Sequence, residues 1–206
     1  HYGKAQRIVL DNQTPFSSPF EIYANNASYT YTPKVYSDGK NGWETLVLPF
    51  DFDIESVQAS EAGDIRPITT ESNGKFWLRK FTGGKDGVLN FSSFTDNEME
   101  WIFRNTPLIV AIPGEKFGKY SLEGQSITFR MRTSVGYIPA TPEDAKTNLY
   151  GSEYIFRGTY DEGLSGNAGW TMDYLGSGFD AQDNVRLQPF TAYFTAVNNA
   201  QPQATP

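Results

Sequence analysis

The stretch Glu44-Thr-Leu-Val-Leu-Pro-Phe-Asp-Phe-Asp-Ile54 decides the fold class. Leu46, Leu48, Phe50, Phe52 and Ile54 fall on one parity, and Thr45, Val47, Asp51 and Asp53 on the other. Such period-two alternation marks a strand with one apolar and one wet face, and Pro49 within it marks an edge or a bulge. The same pattern recurs in both directions along the chain. Tyr29, Tyr31 and Val35 alternate with Thr30, Thr32 and Lys34; Ile127, Phe129 and Met131 with Thr128, Arg130 and Arg132. Tyr154, Phe156 and Tyr160 lie on the other parity from Ile155, Arg157 and Thr159, and Phe190, Ala192 and Phe194 oppose Thr191, Tyr193 and Thr195. Further strands are expected over 7–10, 20–24, 75–81, 87–92, 101–104 and 108–112. Leu46, Leu48, Phe50, Phe129, Phe156, Phe190 and Phe194 are the expected core, because a one-residue slip would expose the whole set.

Gly- and Asn-rich clusters separate these runs: Ser37-Asp-Gly-Lys-Asn-Gly42, Ser72-Asn-Gly74, Thr82-Gly-Gly-Lys-Asp-Gly87 and Gly163-Leu-Ser-Gly-Asn-Ala-Gly169. They supply the positive φ that tight reversals need. Helical signals are short. Thr141-Pro142-Glu143-Asp144 has an N-cap threonine, a proline in the first turn and acids after it, and 53–62 is an ambiguous second candidate. Many short strands in 206 residues predict one all-β domain over 1–197, an antiparallel β-sandwich of jelly-roll type with two packed sheets. Residues 198–206, polar and bearing two prolines, read as a tail or linker.

Composition excludes much chemistry. There is no cysteine, and the single histidine is residue 1, to which no role is assigned. Zinc sites of the usual kinds, iron–sulfur clusters, thiol nucleophiles and Ser-His-Asp triads are therefore ruled out. No cofactor and no metal is expected. A net charge of −7 opposes phosphate backbones, so no nucleic-acid partner is expected. The longest apolar run, 108–112, is far short of the ~20 residues a membrane helix needs. No signal peptide and no initial methionine are present, which reads as a processed protein or an excised domain.

The remaining candidates are carboxylates and aromatics. Asp51, Asp53 and Glu55, and again Asp96, Glu98 and Glu100, are spaced by two, and either trio could hold two carboxyls at the roughly 5–10 Å that glycosidases use. Alternate acids on a strand are more ordinarily its solvated face, and no catalytic residue is assigned. Asp161-Glu162 and Asp180 to Asn184 lie beside glycine-rich turns, where oxygens can converge on calcium. Neither has the spacing of an EF-hand loop, and turn formation explains them. Asn26-Ala-Ser28 and Asn90-Phe-Ser92 fit the glycosylation pattern, which occurs readily by chance. Among 31 aromatic residues, Trp170 follows the 163–169 glycine-rich loop and is the candidate ligand-binding residue, a loop-borne ring for stacking on a sugar. Trp43, Trp77 and Trp101 lie in or beside strands and are read as packing.

Gly42-Trp-Glu-Thr-Leu-Val-Leu-Pro-Phe-Asp51 also resembles a signature of β-rich domains in cell-surface and secreted adhesin-like proteins of Bacteroidetes. Those domains are often attached to leucine-rich or immunoglobulin-like repeats. Asn105-Thr-Pro-Leu-Ile-Val110, Phe156-Arg-Gly-Thr-Tyr160 and Pro189-Phe-Thr-Ala-Tyr-Phe194 resemble later segments of the same family, in order. Leu108 replaces its usual tyrosine and Thr191 its arginine. The likeness spans about residues 20–197 and rests on apolar and aromatic positions. It implies an extracellular or outer-surface location and a non-catalytic, adhesin-like module, with a glycan or a host or matrix protein as partner and other domains in a longer chain. A carboxylate-based glycan-active enzyme and a purely structural spacer are the rival expectations.

Overall fold

A computed structural model describes residues 1–133, 136–141 and 145–198. It is 47% strand and 4% helical, an all-β, sandwich-like fold not closed into a barrel. In chain order the strands are β1 (Tyr2–Asp11), β2 (Glu21–Tyr31), β3 (Trp43–Leu46), β4 (Val57–Ala59), β5 (Gly63–Asp64), β6 (Pro67–Ile68), β7 (Phe76–Lys85), β8 (Val88–Ser93) and β9 (Leu108–Ala111). They continue as β10 (Ile127–Arg130), β11 (Gly136–Ile138), β12 (Lys146–Asn148), β13 (Tyr154–Thr159), β14 (Gly163–Leu164), β15 (Gly169–Met172), β16 (Phe179–Gln182), β17 (Arg186–Leu187) and β18 (Thr191–Ala196).

Three large sheets result, where two were expected. The first runs β1-β2-β10-β4-β5 with β11 also on β2; the second runs β3-β9-β7-β6 with β8 also on β7; the third runs β12-β13-β18-β15-β16. β14 and β17 pair separately. Nor are all pairs antiparallel: β1 with β2 and β6 with β7 are parallel. Residues 12–20 do not close a hairpin after β1. The Phe16 amide bonds to the Tyr160 carbonyl and the Ser18 amide to the Thr141 hydroxyl, which carries the link away and returns it to the start of β1.

The second sheet is the middle layer. On β7, Phe76 and Leu78 join the main core with Tyr29, Val57 and Phe129 of the first sheet. Phe81 on the opposite parity joins a second core with Phe156, Ala192 and Phe194 of the third. β9 is divided likewise, Leu108 and Val110 to one side and Ile109 to the other. A strand covered on both faces needs no polar parity, which is why 108–112 is a continuous apolar run.

All seven expected core residues are buried. Val47, expected on the wet parity, is buried as well, with 0% exposure. The chain leaves β3 at Leu46, and the Val47 amide bonds to the Phe190 carbonyl. Its side chain fills the space over Gly158, where a Cβ would lie 2.7 Å from the valine Cγ2. The expected strand over 101–104 is a single bridge from Ile102 to Phe52, and 53–62 is a turn followed by β4, not a helix. The 82–87 turn shrinks to Asp86-Gly87, with φ of 52° and 80°, as a two-residue hairpin requires. The helices are α1 (Asp96–Met99) and a 3₁₀ turn at Glu115–Phe117. Thr95 and Glu98 form a capping box at α1, so the acids of 96–100 are spaced along a helical turn and not along a strand. Positions 142–144 of the 141–144 helix candidate, and 199–206 of the tail, lie outside the described residues.

Candidate functional site

Where the second core reaches the surface it opens into a cleft of about 1310 Å³ between the β7–β8 hairpin and the edge of the third sheet. Period-two alternation places its rings. β15 pairs with β16 and β18, setting Trp170 opposite Ala181 and Phe194. Trp170 is thus on a strand, not on the preceding loop, and half-buried. Its ring stands edge-on to Tyr154, centroids 5.3 Å apart. Phe91, Met172, Phe179 and Trp43 line the cleft with it.

Both ends of the cleft are tied down. At one, the Tyr154 hydroxyl accepts the Gly87 amide at 3.0 Å and Glu153 Oε2 the Asp86 amide at 2.9 Å, fastening the hairpin tip to β13. At the other, the Asp173 carboxylate accepts the Leu175 and Ser177 amides, both at 2.9 Å. Burial alone would raise the Asp173 pKa; the Ser177 hydroxyl and these amides outweigh it and hold the carboxyl below its ordinary value. That turn lies against β3: the Trp43 amide bonds to the Gly176 carbonyl at 3.1 Å, and a Cβ on Gly176 would sit 2.2 Å from the Trp43 nitrogen. Only glycine fits there. The Arg79 guanidinium lies over the Trp43 ring, 4.9 Å from its centroid.

A second pocket of about 520 Å³ shares Trp43 and Met172 with the cleft and contains Tyr29, Tyr31 and Glu44. Burial pushes the Glu44 carboxyl up to about 7, against the lowering effect of the Lys34 amide and ammonium. Its one hydrogen bond comes from that amide, at 3.2 Å. The Tyr31 hydroxyl is buried without a partner, and burial followed by the Glu44 charge raises its pKa. Glu44 sits inside the most strongly patterned stretch of the chain, yet a single acid beside a strand carries no signal of burial.

The acids singled out from the sequence do not gather. Asp51 pairs with Arg104 at 3.3 Å, Asp53 with Arg132 at 3.5 Å, and Glu55 with Arg66, three separate ion pairs. Asp96 accepts the Ser72 and Thr69 hydroxyls, which hold it below the ordinary carboxylate value, and Glu98 pairs with Lys80. Asn184 Oδ1 accepts the Gly166 amide at 2.9 Å, a loop closure. Among the described residues no group of three or more His, Cys, Asp or Glu converges as metal ligands would. Asn26 and Asn90 are both exposed on strands, Asn90 at the cleft.

Trp77 packs edge-on against Phe117 and Trp43 packs against the second core, both as expected, but the reading of Trp101 needs correction. Trp43 lines the cleft, and Trp101 is a surface residue, 44% exposed and stacked on Phe103 with the Arg132 guanidinium 4.0 Å from its ring. Among the described residues no helix is long and apolar enough to cross a membrane. No family model, curated protein or solved structure matches the chain.

Proposed function

We propose that the chain is a non-catalytic, adhesin-like binding module of a cell-surface or secreted protein, and that it holds a glycan in the cleft between its second and third sheets. One observation carries the reading: the cleft floor presents Trp170, Tyr154 and Trp43 beside polar groups of Ser152, Glu153 and Asn90. Sugar rings have apolar C–H faces and polar rims, so aromatic floors with hydroxyl, amide and carboxylate edges suit them. The resemblance to Bacteroidetes surface proteins supports the extracellular setting. The test is a glycan array followed by titration of wild type and Trp170→Ala. Binding weakened at least about tenfold in the variant supports the reading. Unchanged binding removes Trp170 from the site, and a blank array favours a host-protein partner or a structural spacer.

Glu44 favours a second reading, a carboxylate-based glycan-active enzyme. A carboxyl titrating near 7 shares its pocket with Asp173, which is held ionised, and environments that push two acids apart are those of an acid and a base. Release of reducing ends from an array hit, abolished in Glu44→Gln, would establish it in place of the binding module.

A further inference from the structure

The cation in the cleft has no ion-pair partner among the described residues. Arg79 is half-buried on β7, opposite Ser93 of β8 and Ile109 of β9, and it is the one cation among the described residues lining the cleft. Its Nε is sealed from water and meets no acceptor. Arg66, Arg104 and Arg132 each have a carboxylate within ion-pair distance; Arg79 has none among the described residues. A half-buried guanidinium without an anion forgoes the contacts that ordinarily offset its desolvation. Its guanidinium carbon lies 4.9 Å from the Trp43 ring centroid, and a guanidinium carries the fork of donors that matches a two-oxygen anion.

The acids that line the cleft are at its other end. Asp86 is at the hairpin tip and Glu153 is bonded to the Asp86 amide. Six steps of strand carry Arg79 to Lys85, about 20 Å at ~3.3 Å per residue, and Asp86 lies beyond in the turn. That exceeds two Debye lengths of about 8 Å at physiological salt. The acids lining the cleft therefore lie at its hairpin end and its lining cation over Trp43, where the Asp173 carboxylate is taken up within its own turn by the Leu175 and Ser177 amides and the Ser177 hydroxyl.

We propose that the cleft selects acidic saccharides, with Arg79 receiving the carboxylate or sulfate of a sugar seated beside Trp43 and the rest of the chain running over Trp170 towards the hairpin tip. This rests on the glycan-binding reading and names the ligand class for the same site.

The test uses pairs of oligosaccharides that differ only in charge: oligogalacturonate, oligomannuronate and sialyllactose with their methyl esters, and sulfated galactans with their desulfated forms. Each is titrated calorimetrically against wild type, Arg79→Gln and Arg79→Lys, with circular dichroism confirming that the variants fold. An acidic member should bind at least roughly tenfold more tightly than its neutral partner, the scale of one charge-assisted contact. That preference should vanish in Arg79→Gln, return in part in Arg79→Lys and weaken with added salt. Preference for a carboxylated or a sulfated member identifies which anion is read. Equal affinity for charged and neutral partners, or a preference that survives in Arg79→Gln, overturns the proposal and leaves the glycan reading standing. Failure of every saccharide, charged or neutral, overturns both.

Discussion

Replacing Glu44 by glutamine should make the protein more stable at pH 8 and leave it unchanged near pH 4.5. In the folded chain burial raises this carboxyl from its ordinary 4.5 to about 7. Between those values the folded state binds more protons than the unfolded one, so stability falls as pH rises through the window. Above it the folded protein carries a buried charge that the unfolded chain would solvate. An interval of about 2.5 in pH, at ~1.4 kcal/mol each, sets an upper bound of about 3.5 kcal/mol. Glu44 keeps some contact with water, and screening there brings the expected effect to about 1–3 kcal/mol. Glutamine keeps an oxygen to accept the Lys34 amide and has no proton to lose. The assay is urea denaturation of both proteins at pH 4.5, 6, 7 and 8. The two stabilities should coincide at the acid end and diverge from pH 6 upward, the variant on top. Parallel profiles would refute the argument, because they would place Glu44 in water.

Phe194→Ala should cost about 3–5 kcal/mol in the same denaturation assay. The ring stacks on Phe156 at 4.3 Å and meets Phe81 and Phe179 at 4.9 Å, so its loss would hollow the second core; a loss below 1 kcal/mol would contradict that. Gly176→Ala should cost at least about 1–2 kcal/mol from its φ of 62° alone and shift the tryptophan fluorescence as the turn lifts from Trp43. An unaltered spectrum would detach the 173–178 turn from the cleft wall. Thr95→Ala should cost about 1 kcal/mol by removing the α1 cap, read as a lower urea midpoint at unchanged slope.

The class of the fold was legible because period two is written in side chains that must choose a face. Phe129, Phe156 and Phe194 are buried as their parity requires. The number of layers was not legible. A strand covered on both sides loses its alternation, and the apolar run at 108–112 is equally a middle strand or an undivided core segment. The parallel β1–β2 pair was hidden for another reason. Its register depends on where residues 12–20 dock, and Tyr160 and Thr141 lie more than 120 residues further along the chain. Helix α1 could have been read, since Thr95-Asp-Asn-Glu98 is the capping-box pattern, but the alternation of its acids was the more conspicuous period.

For the site, aromatic content pointed to Trp170 and the structure brings that ring to a cleft, on a strand instead of a loop. What the sequence cannot express is a missing partner. Arg79 sits in Phe76-Trp-Leu-Arg-Lys-Phe81, where alternation would make it the wet side of an ordinary strand. It becomes a candidate receptor only because β7 belongs to the middle sheet, so that its second face meets the third sheet, which half-buries the side chain at the cleft and seals its Nε. The same event explains Glu44. β3 lies at the edge of that middle sheet, and its alternate residues look into the two pockets, Trp43 into the cleft and Glu44 towards Tyr29 and Tyr31. The layer that conceals itself in the sequence is therefore the one that creates both sites. Arg79 within that sheet and Glu44 at its edge are half-buried charges with no opposite charge at ion-pair distance among the described residues, so whatever enters either pocket meets a charge whose contacts inside the protein are incomplete.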